Sequence, residues 1–253
     1  MTTQIIAQSQ IDHINQSDEF SDPSTLLKFG FKNFNSNIAL ASSFGLEDVV
    51  LIDIMTKINP KSRVFTLDTG RLNPETYDVM EKIREKYNIK IEIYFPNTNS
   101  VEKMVSDKGI NLFYESVENR QTCCGIRKIE PLNRALNSLD AWITGIRMDQ
   151  TSNRKDMKRI EIDSLHNNMI KINPLLDWNL DMVWKYIKDN QIPYNKLHDK
   201  GFPSIGCAPC TRPIEIGEDP RAGRWWWEGS SKECGLHENL SSVNFDENSF
   251  HNE

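Results

Sequence analysis

Five cysteines in a chain of 253 residues set the strongest constraint on how this sequence can fold and act. Cys123 and Cys124 are adjacent, Cys207 and Cys210 form a Cys-x-x-Cys turn, and Cys234 stands alone near the end of the chain. A disulfide between neighbouring residues is strained, so the first two cysteines are poor partners for each other. The two pairs therefore predict one four-thiolate metal centre, which leaves the fifth thiol for chemistry.

The cysteine spacing leaves two metal centres open, a structural zinc ion and a cluster of four irons and four sulfides. A lone Cys-x-x-Cys turn could also be a redox pair, but the second pair upstream favours a shared site. Zinc ligands are typically separated by roughly two to four residues, and adjacent cysteines depart from that spacing. The pattern therefore favours one [4Fe-4S] cluster per chain, with Cys123, Cys124, Cys207 and Cys210 as its ligands.

Composition and charge exclude several classes of protein. Hydrophobic residues make up 38% of the chain and charged residues 26%, which is typical of a globular protein. No apolar run approaches the roughly 20 residues that span a bilayer, and the N-terminus does not read as a signal peptide. We therefore expect a cytoplasmic protein without membrane contact. The formal charge of −6 gives no support for nucleic-acid binding, although a local basic pocket for a small anion is compatible with it.

Apolar runs alternate with helical patterns along the first two thirds of the chain. Short buried strands are predicted at residues 38–41, 63–67, 91–95 and 141–144. Strands that alternate with helices predict an α/β fold, a mostly parallel sheet with helices on both faces. Further elements are a helix at 23–34, a helix from Pro74 to about residue 87, a hairpin at 160–162 and 169–172, and a helix at about 179–190.

Polar residues follow three of the predicted strands, at the edge where parallel sheets bind ligands. Residues 42–48 form a small-residue turn before a helix, whose free N–H groups suit a phosphate; ordinary helix capping is the alternative. Asp68 follows the second strand and is either a ligand or a turn residue. Arg147 and Arg154 lie in a polar loop after the fourth strand and could grip an anion, unless the loop is simply solvated.

A helix is predicted to begin at the first cysteine pair, because Ile126, Ile129 and Leu132 form one apolar face. The cysteines would then lie at or near its first turn. Lys128 would follow Cys124 by one helical turn and could face the same site.

The C-terminal stretch combines arginines, tryptophans and the fifth cysteine. Arg221 and Arg224 bracket a glycine-containing turn and suit a phosphate or sulfate group. The three consecutive tryptophans that follow cannot all face one way, so at least two of them should pack. Lys232 and His237 flank Cys234 and would favour its thiolate, whereas the alternative is an incidental free thiol.

Seven motifs together resemble the assimilatory adenylyl-sulfate reductases of the iron–sulfur-cluster type, close relatives of the phosphoadenylyl-sulfate reductases. The resemblance extends from about residue 38 to 237. The motifs are SSFGLEDVV (42–50), LDTGRLNPETY (67–77), CCGIRKIEPL (123–132), GIRMDQTSNR (145–154), IGCAPCTRP (205–213), GRWWWE (223–228) and KECGLH (232–237). Related sequences usually carry Arg-Arg-Asp-Gln in the fourth motif, so this chain has one basic residue fewer there.

The resemblance implies an adenine nucleotide α-hydrolase-like, Rossmann-like fold and the reduction of adenosine 5′-phosphosulfate to sulfite and AMP. Thioredoxin, or a glutaredoxin-like protein, would supply the electrons, and the protein would be a homo-oligomer. Members with this cysteine pattern bind a four-iron cluster and mostly use adenosine 5′-phosphosulfate. Cluster-free relatives mostly use the 3′-phosphorylated nucleotide. A phosphoadenylyl-sulfate reductase and a non-catalytic, zinc-stabilised nucleotide-binding module remain the alternatives.

The same resemblance assigns roles to individual residues. Cys234 would be the nucleophile, and His237 would bind substrate or tune that thiol. Positively charged residues would hold the phosphosulfate, namely Lys128, Arg154, Arg221 and Arg224. The nucleotide side would be lined by Ser42, Ser43, Gly45, Asp68 and Thr69.

We expect four parts in the chain. An N-terminal helical segment (1–36) precedes a nucleotide-binding α/β domain (37–200). A loop-rich, cysteine-containing segment (201–239) would bind the cluster and carry the catalytic thiol. The tail (240–253) is predicted to be disordered.

Overall fold

The computed structural model describes residues 6–150, 154 and 156–228, and these residues form one six-stranded sheet. The strand order is β3-β2-β1-β4-β6-β5, and every neighbouring pair is parallel except β5 and β6. The predicted parallel sheet is therefore confirmed, and the predicted hairpin forms one edge of it. The strands are β1 (Ile38–Ala41), β2 (Arg63–Leu67), β3 (Ile91–Tyr94), β4 (Ala141–Ile143), β5 (Ile160–Asp163) and β6 (Met169–Ile172).

Eight α-helices lie in the described part of the chain. They are α1 (Gln8–Gln16), α2 (Pro23–Phe34), α3 (Leu46–Ile58), α4 (Pro74–Tyr87), α5 (Thr98–Lys108), α6 (Val117–Cys124), α7 (Glu130–Leu136) and α8 (Leu180–Asp189). Local chemistry sets several of their ends. Asp22 caps α2 by accepting a hydrogen bond from the backbone N–H of Thr25, and Pro74 occupies the first turn of α4. None of these helices is both long and apolar enough to cross a bilayer.

Apolar side chains leave the strands alternately toward the two faces of the sheet. In β1, Ile38 and Leu40 join a large core with α2, α3 and α8, whereas Ala39 packs on the other face with Trp142 and residues of α7. Helices therefore cover both faces, as expected for a parallel sheet whose strands are continuously apolar. The buried Ile11 and Ile14 of α1 belong to the same large core.

The first cysteine pair lies in a different place from the one that the sequence predicts. Cys123 and Cys124 are in the last turn of α6, not in the first turn of a helix. A π-helical turn, Gly125–Ile129, follows them and leads directly into α7. Helical segments therefore continue through the apolar positions on both sides of the cysteines, which is why the local pattern does not reveal where the helix begins.

A third, smaller apolar cluster lies apart from both faces of the sheet. It joins the C-terminal segment to α5, α6 and the turn between them. Its buried members are Met104, Leu112, Phe113, Cys207, Cys210 and Trp225. Cys123, Ile126 and Trp227 pack against them while partly buried. This cluster holds the two cysteine pairs on one scaffold.

The turns after β1 and β4 meet where the strand order reverses, which is the usual ligand crevice of open α/β sheets. Gly145, just after β4, lies against the start of α3. A Cβ atom at this position would overlap Asp48 Oδ1 and lie 2.9 Å from Glu47 Cβ. The close approach of the two turns therefore requires glycine here.

We expect Gly145→Ala to lower the free energy of unfolding by about 1–3 kcal/mol, because the added methyl group overpacks the junction of the two turns. Urea unfolding of the two proteins would measure the difference. Gly45→Ala is the control on the neighbouring turn, because its Cβ would lie 3.5 Å from Ser43 Oγ, an ordinary contact. An unchanged unfolding midpoint in Gly145→Ala would contradict the close approach.

Candidate active site

The turn before α3 satisfies its own hydrogen-bond donors. The backbone N–H and the Oγ of Ser43 donate to Asp48 Oδ2 at 2.6 and 2.9 Å, and Ser42 Oγ accepts from the N–H of Phe44 at 3.1 Å. Gly45 is the N-cap residue, and the helix start has no side-chain cap hydrogen bond. Ser43 therefore donates to a carboxylate of α3 and does not cap the helix, and that carboxylate lies where the sequence suggests room for a phosphate.

Burial raises the pKa of Asp48 to about 6 from an ordinary value of 3.8. The hydrogen bond from the backbone of Ser43 opposes this shift, and the nearby carboxylate of Glu47 adds to it. A buried negative charge at a helix start is stabilised by the helix dipole, but desolvation dominates here.

The turn after β2 connects the sheet with the cysteines. Asp68 Oδ1 accepts hydrogen bonds from the Gly70 N–H at 2.8 Å and from the Tyr77 hydroxyl at 2.9 Å. Burial, with Asp68 as a further cause, raises the pKa of Tyr77 to about 12. Thr69 Oγ1 lies 3.2 Å from Cys207 Sγ, so the second cysteine pair contacts the carboxyl edge of the sheet directly.

The loop after β4 is tied to the start of α3. Arg147 Nε donates to Glu47 Oε1 at 2.8 Å, and a second nitrogen of the same guanidinium pairs with Asp149. Gln150 Nε2 also donates to Glu47 Oε1, at 3.0 Å, and Gln150 Oε1 accepts from Arg154. Arg147 is thus neutralised by two carboxylates and organises the loop, whereas the predicted anion ligand Arg154 is buried beside it.

Four thiols line one pocket. Cys123, Cys124, Cys207 and Cys210 are all free of disulfides. Positively charged side chains surround them, and the described residues that line the pocket include no carboxylate. The cations are Arg71, Arg120, Arg127, Lys128 and Arg224.

The thiols share this pocket without converging on a single point. The pocket that they line has a volume of about 20 Å³. Across residues 6–150, 154 and 156–228, no three His, Cys, Asp or Glu side chains are arranged to hold a single metal ion. The described lining of this pocket therefore offers four sulfur atoms, and no histidine or carboxylate, as potential metal ligands.

Burial governs the protonation of these thiols. It raises the pKa of Cys210 to about 12, with the neighbouring Cys207 as the next cause. It also raises the pKa of Cys123, although the charge of Arg127 opposes the shift. Metal ligation requires the thiolate, so binding of a metal group here releases protons.

Trp225 lies between two guanidinium groups at the wall of this pocket. The Cζ of Arg120 is 4.6 Å from the ring centroid and that of Arg224 is 4.8 Å. Gly206 makes this stacking possible, because a Cβ there would lie 2.5 Å from Arg224 Nη2. Trp225 Nε1 and Arg224 Nε are buried and have no hydrogen-bond acceptor within the described chain. Donors of this kind suit an electron-rich group such as sulfide or thiolate.

Two of the three tryptophans pack, as predicted. Trp225 is buried, and Trp227 packs edge-on against Tyr114 with ring centroids 4.5 Å apart. Trp226 is the exposed one, with 39% of its surface accessible.

The predicted site residues do not all lie in one place. Lys128, Thr69 and Arg224 lie with the four cysteines, whereas Ser42, Ser43, Gly45 and Arg154 lie at the crevice between β1 and β4. Asp68 lies at the turn between these two regions. Arg221 lies in a separate turn, where its backbone N–H donates to Asp219 Oδ1 at 2.7 Å. Cys234 and His237 lie outside the described residues, as do the predicted tail and residues 1–5.

Sequence reasoning missed Arg120 and Arg127 at the cysteine pocket. Both were detectable, because Arg120 precedes Cys124 by four residues and Arg127 follows Cys123 by four, the spacing of neighbours on a helix. A larger cavity of about 450 Å³ lies at the opposite edge of the sheet, near Asp140 and His166, and no predicted site residue lines it.

Comparison with known proteins defines first the fold and then the family. Yeast FAD synthetase superposes with a TM-score of 0.55 at 18% identity, over 83% of this chain and 71% of that one, and supports the fold alone. The phosphoadenylyl-sulfate reductase of Candida auris superposes with a TM-score of 0.72 at 30% identity, over 83% of this chain and all of that one. The predicted adenine nucleotide α-hydrolase-like fold is confirmed.

Residues 37–213 match the phosphoadenosine phosphosulfate reductase domain, and the chain belongs to that family. An adenosine 5′-phosphosulfate reductase from Allochromatium vinosum is 49% identical over 202 residues, which cover 79% of this chain and 78% of the relative. A protein of the same name from Pseudomonas aeruginosa is 44% identical over 221 residues, with coverages of 85% and 82%.

Asp48 provides a pH test of the crevice. Its pKa is raised in the folded protein, so the folded state binds more protons than the unfolded state between about pH 4 and 6, and stability falls as the pH rises through this range. Asp48→Asn removes this dependence. The unfolding free energy of the variant relative to the parent should therefore increase by up to about 3 kcal/mol between pH 4 and 7.

The measurement is urea unfolding of both proteins across that pH range. Asp78→Asn, an exposed change on α4, controls for the loss of one negative charge. A difference between Asp48→Asn and the parent that does not vary with pH would contradict the raised pKa.

Proposed function

We propose that this chain is an adenosine 5′-phosphosulfate reductase of sulfate assimilation, which forms sulfite and AMP with electrons from thioredoxin or a glutaredoxin-like protein. Relatives that bear this name are similar to it over more than three quarters of its length. The observation that carries the proposal is the contact between Thr69 and Cys207, which brings the thiol pocket to the ligand edge of a nucleotide-binding type of sheet.

The metal group that we propose is a [4Fe-4S] cluster held by Cys123, Cys124, Cys207 and Cys210. Four thiols, a lining of cations and two buried N–H donors suit an anionic, sulfide-rich group. When bound, such a cluster would hold the four thiolates through its iron ions, and the assembled thiolate-ligated group would carry a net negative charge. Its proposed role is to shape the local electric field, with no electrons passing through it.

The phosphosulfate would bind between the thiol pocket and the crevice. Lys128 and Arg224 line the pocket, and the charge of Lys128 lowers the pKa of Cys123 and Cys210 against the effect of burial, so Lys128 acts on both pairs. Arg154 lies on the crevice side, in the loop that Glu47 ties to α3. Cations on two sides of the ligand edge can hold a substrate that carries several negative charges. We propose that Arg221 joins them and that Ser42, Ser43, Gly45, Asp68 and Thr69 line the nucleotide side.

The chemical step assigned to Cys234 is a nucleophilic displacement at sulfur. Its thiolate forms a bond to the sulfonyl sulfur, the bond from that sulfur to the phosphate oxygen breaks, and AMP leaves with the electron pair. Cys234 then carries a thiosulfonate. A donor thiolate attacks Sγ of Cys234 and releases sulfite, and the second donor thiol resolves the mixed disulfide. The donor dithiol loses two electrons and the sulfur gains them. His237 would bind substrate or tune the thiol.

We also propose a cytoplasmic location, which four cysteines close together and outside any disulfide favour. Homo-oligomeric assembly and the four-part division of the chain stay predictions from the sequence.

Cys234→Ser should abolish sulfite release, because an alcohol at this position is a far weaker nucleophile, and it should leave iron content and nucleotide binding unchanged. Sulfite release is measured with anaerobically purified protein and reduced thioredoxin, and iron content is measured on the same protein. Substantial sulfite release by this variant would refute the thiosulfonate mechanism.

Cys207→Ser is the reciprocal variant. It should lose most of the iron and the visible absorbance while keeping the Cys234 thiol, because one of four ligands is lost. Zinc in a colourless parent protein would refute the cluster assignment.

Substrate choice decides between the proposal and its nearest alternative. The protein should release sulfite from adenosine 5′-phosphosulfate and much less from the 3′-phosphorylated nucleotide. Glu47 and Asp48 at the crevice would disfavour an additional phosphate through charge repulsion. The opposite preference would keep the Cys234 chemistry and make the protein a phosphoadenylyl-sulfate reductase.

A further inference from the structure

A buried ion pair joins the cysteine-bearing helix α6 to the C-terminal segment. Arg120 Nε donates to Glu228 Oε1 at 2.8 Å, and Arg120 Nη2 donates to Glu228 Oε2 at 3.0 Å. The side chains are only 8% and 4% exposed. Two parallel hydrogen bonds between a guanidinium and a carboxylate fix the orientation of both groups, so the remaining N–H groups of Arg120 have a defined direction.

Arg120 lies on the same side of α6 as the second cysteine of the first pair. It precedes Cys124 by four residues, the spacing of side chains that are neighbours on a helix. Both side chains line the thiol pocket. Glu228 and Cys124 each act on the guanidinium through charge and through a hydrogen bond. Arg120 therefore connects a carboxylate on one side with a cysteine on the other.

A third contact holds the guanidinium in place. Its Cζ lies 4.6 Å from the ring centroid of Trp225. The backbone N–H of Trp225 donates to the carbonyl of Cys210 at 3.2 Å, and the N–H of Glu228 donates to the carbonyl of Trp225 at 2.9 Å. The groups that orient Arg120 are thus attached to the second cysteine pair, while Arg120 itself contacts the first.

The charge of Arg120 is balanced differently from that of its neighbours in the pocket. Arg127 and Arg224 donate to backbone carbonyls, which are neutral. Arg120 is paired with a buried carboxylate, so the pair as a whole adds little net charge to the pocket. What Arg120 provides to Cys124 is therefore an oriented N–H donor.

We propose that Arg120 is the hydrogen-bond donor that positions Cys124 as a ligand of the metal group, and that Glu228 sets the direction of this donor. Hydrogen bonds from outside a ligand set orient the ligands, and their loss costs roughly 10- to 100-fold in metal affinity or activity. The proposal rests on the proposed function, because it takes Cys124 as a ligand of the [4Fe-4S] cluster. Arg120 and Glu228 act through Cys124 and are positioning residues.

Glu228→Gln tests the orienting role with little change in volume. It removes one of the two acceptors and leaves the charge of Arg120 without a counter-charge. In anaerobically purified, iron-loaded protein, iron should pass to ferrozine about threefold or more faster than in the parent, because the donor to Cys124 loses its fixed direction. A purely electrostatic role gives the opposite result, since an additional positive charge beside the thiolates would slow the release. Slower or unchanged release would overturn the role of Glu228.

Glu218→Gln is the matched control. Glu218 accepts from Arg212 at 2.9 Å through each carboxylate oxygen, in the same segment and with the same two-point geometry. Neither residue belongs to the described lining of the thiol pocket, and their side chains are about a third exposed. Iron release from this variant should stay within about twofold of the parent, as for a partly exposed pair. An equal acceleration in both variants would show that the effect is not specific to Arg120.

A spectroscopic readout separates positioning of the ligand from a general loss of stability. Arg120→Met together with Glu228→Met removes the donor, keeps the net charge and leaves no unpaired buried charge. In the folded, iron-loaded double variant, an iron–thiolate stretching band in the resonance Raman spectrum should move to higher frequency, because the ligand sulfur no longer accepts a hydrogen bond. A spectrum identical to that of the parent would overturn the proposal.

The remaining outcomes distinguish this proposal from the proposed function. If Glu228→Gln does not fold, the double methionine variant replaces it, and its iron release should be about tenfold faster than in the parent. A parent protein that carries zinc would refute the cluster, and zinc release to 4-(2-pyridylazo)resorcinol would then decide on Arg120. An iron-loaded parent that releases no sulfite would contradict the proposed function alone, and the iron-release rates would still test Arg120.

Discussion

Burial of positive charge beside the cysteines is the constraint on which this structure depends. Arg120, Arg127 and Arg224 are each less than a tenth exposed, and a buried cation is costly unless it is paired. Arg120 has a carboxylate, Arg127 donates to the carbonyl of Thr69 at 2.6 Å, and Arg224 has an aromatic face and the Ile205 carbonyl at 3.3 Å. Only the first of these partners carries charge. The remaining positive charge is best balanced by the thiols themselves once they are ionised, so the protonation of the cysteines and the stability of this region are linked.

The turn after β2, which contains Thr69, connects the buried cations and the cysteines to the sheet. Thr69 contacts Cys207 through its hydroxyl, accepts from Arg127 through its carbonyl, and also accepts from the N–H of Arg71 at 3.2 Å. The carbonyl of Arg71 in turn accepts from the N–H of Ala208 at 2.8 Å, inside the Cys-x-x-Cys turn. Because these hydrogen bonds join the turn to both cysteine-bearing segments, the thiol pocket cannot shift relative to the strand end without breaking several of them. The ligand edge of the sheet and the thiol pocket are therefore one rigid unit.

The sequence predicts those structural features that a short, local pattern of residues determines. The runs that became β1 to β4 are apolar and short, and paired cysteines predict that their thiols share a pocket. Arg120 and Glu228 are separated by 108 residues and follow no repeating pattern, so only the fold brings them together.

The turn before α3 shows a second reason why sequence prediction fails. Serines before a helix predict open N–H donors, but Asp48, five residues after Ser43, returns its carboxylate to the same donors. A sequence motif indicates that donors are available, and it does not indicate which acceptor occupies them.

The π-helical turn after the first cysteine pair explains how so many functional groups share one side of the chain. In an α-helix, successive turns drift because 3.6 residues complete a turn, so residues four and five positions apart are displaced from one another. A π-helical turn is wider, with bonds from residue i to i+5, and brings these positions closer to alignment. Arg127 and Lys128 lie four residues after Cys123 and Cys124, and all four side chains line the same pocket. In a regular helix the residues four apart would still be neighbours, but Lys128 would lie about 140° around the axis from Cys123, and the wider turn reduces that angle.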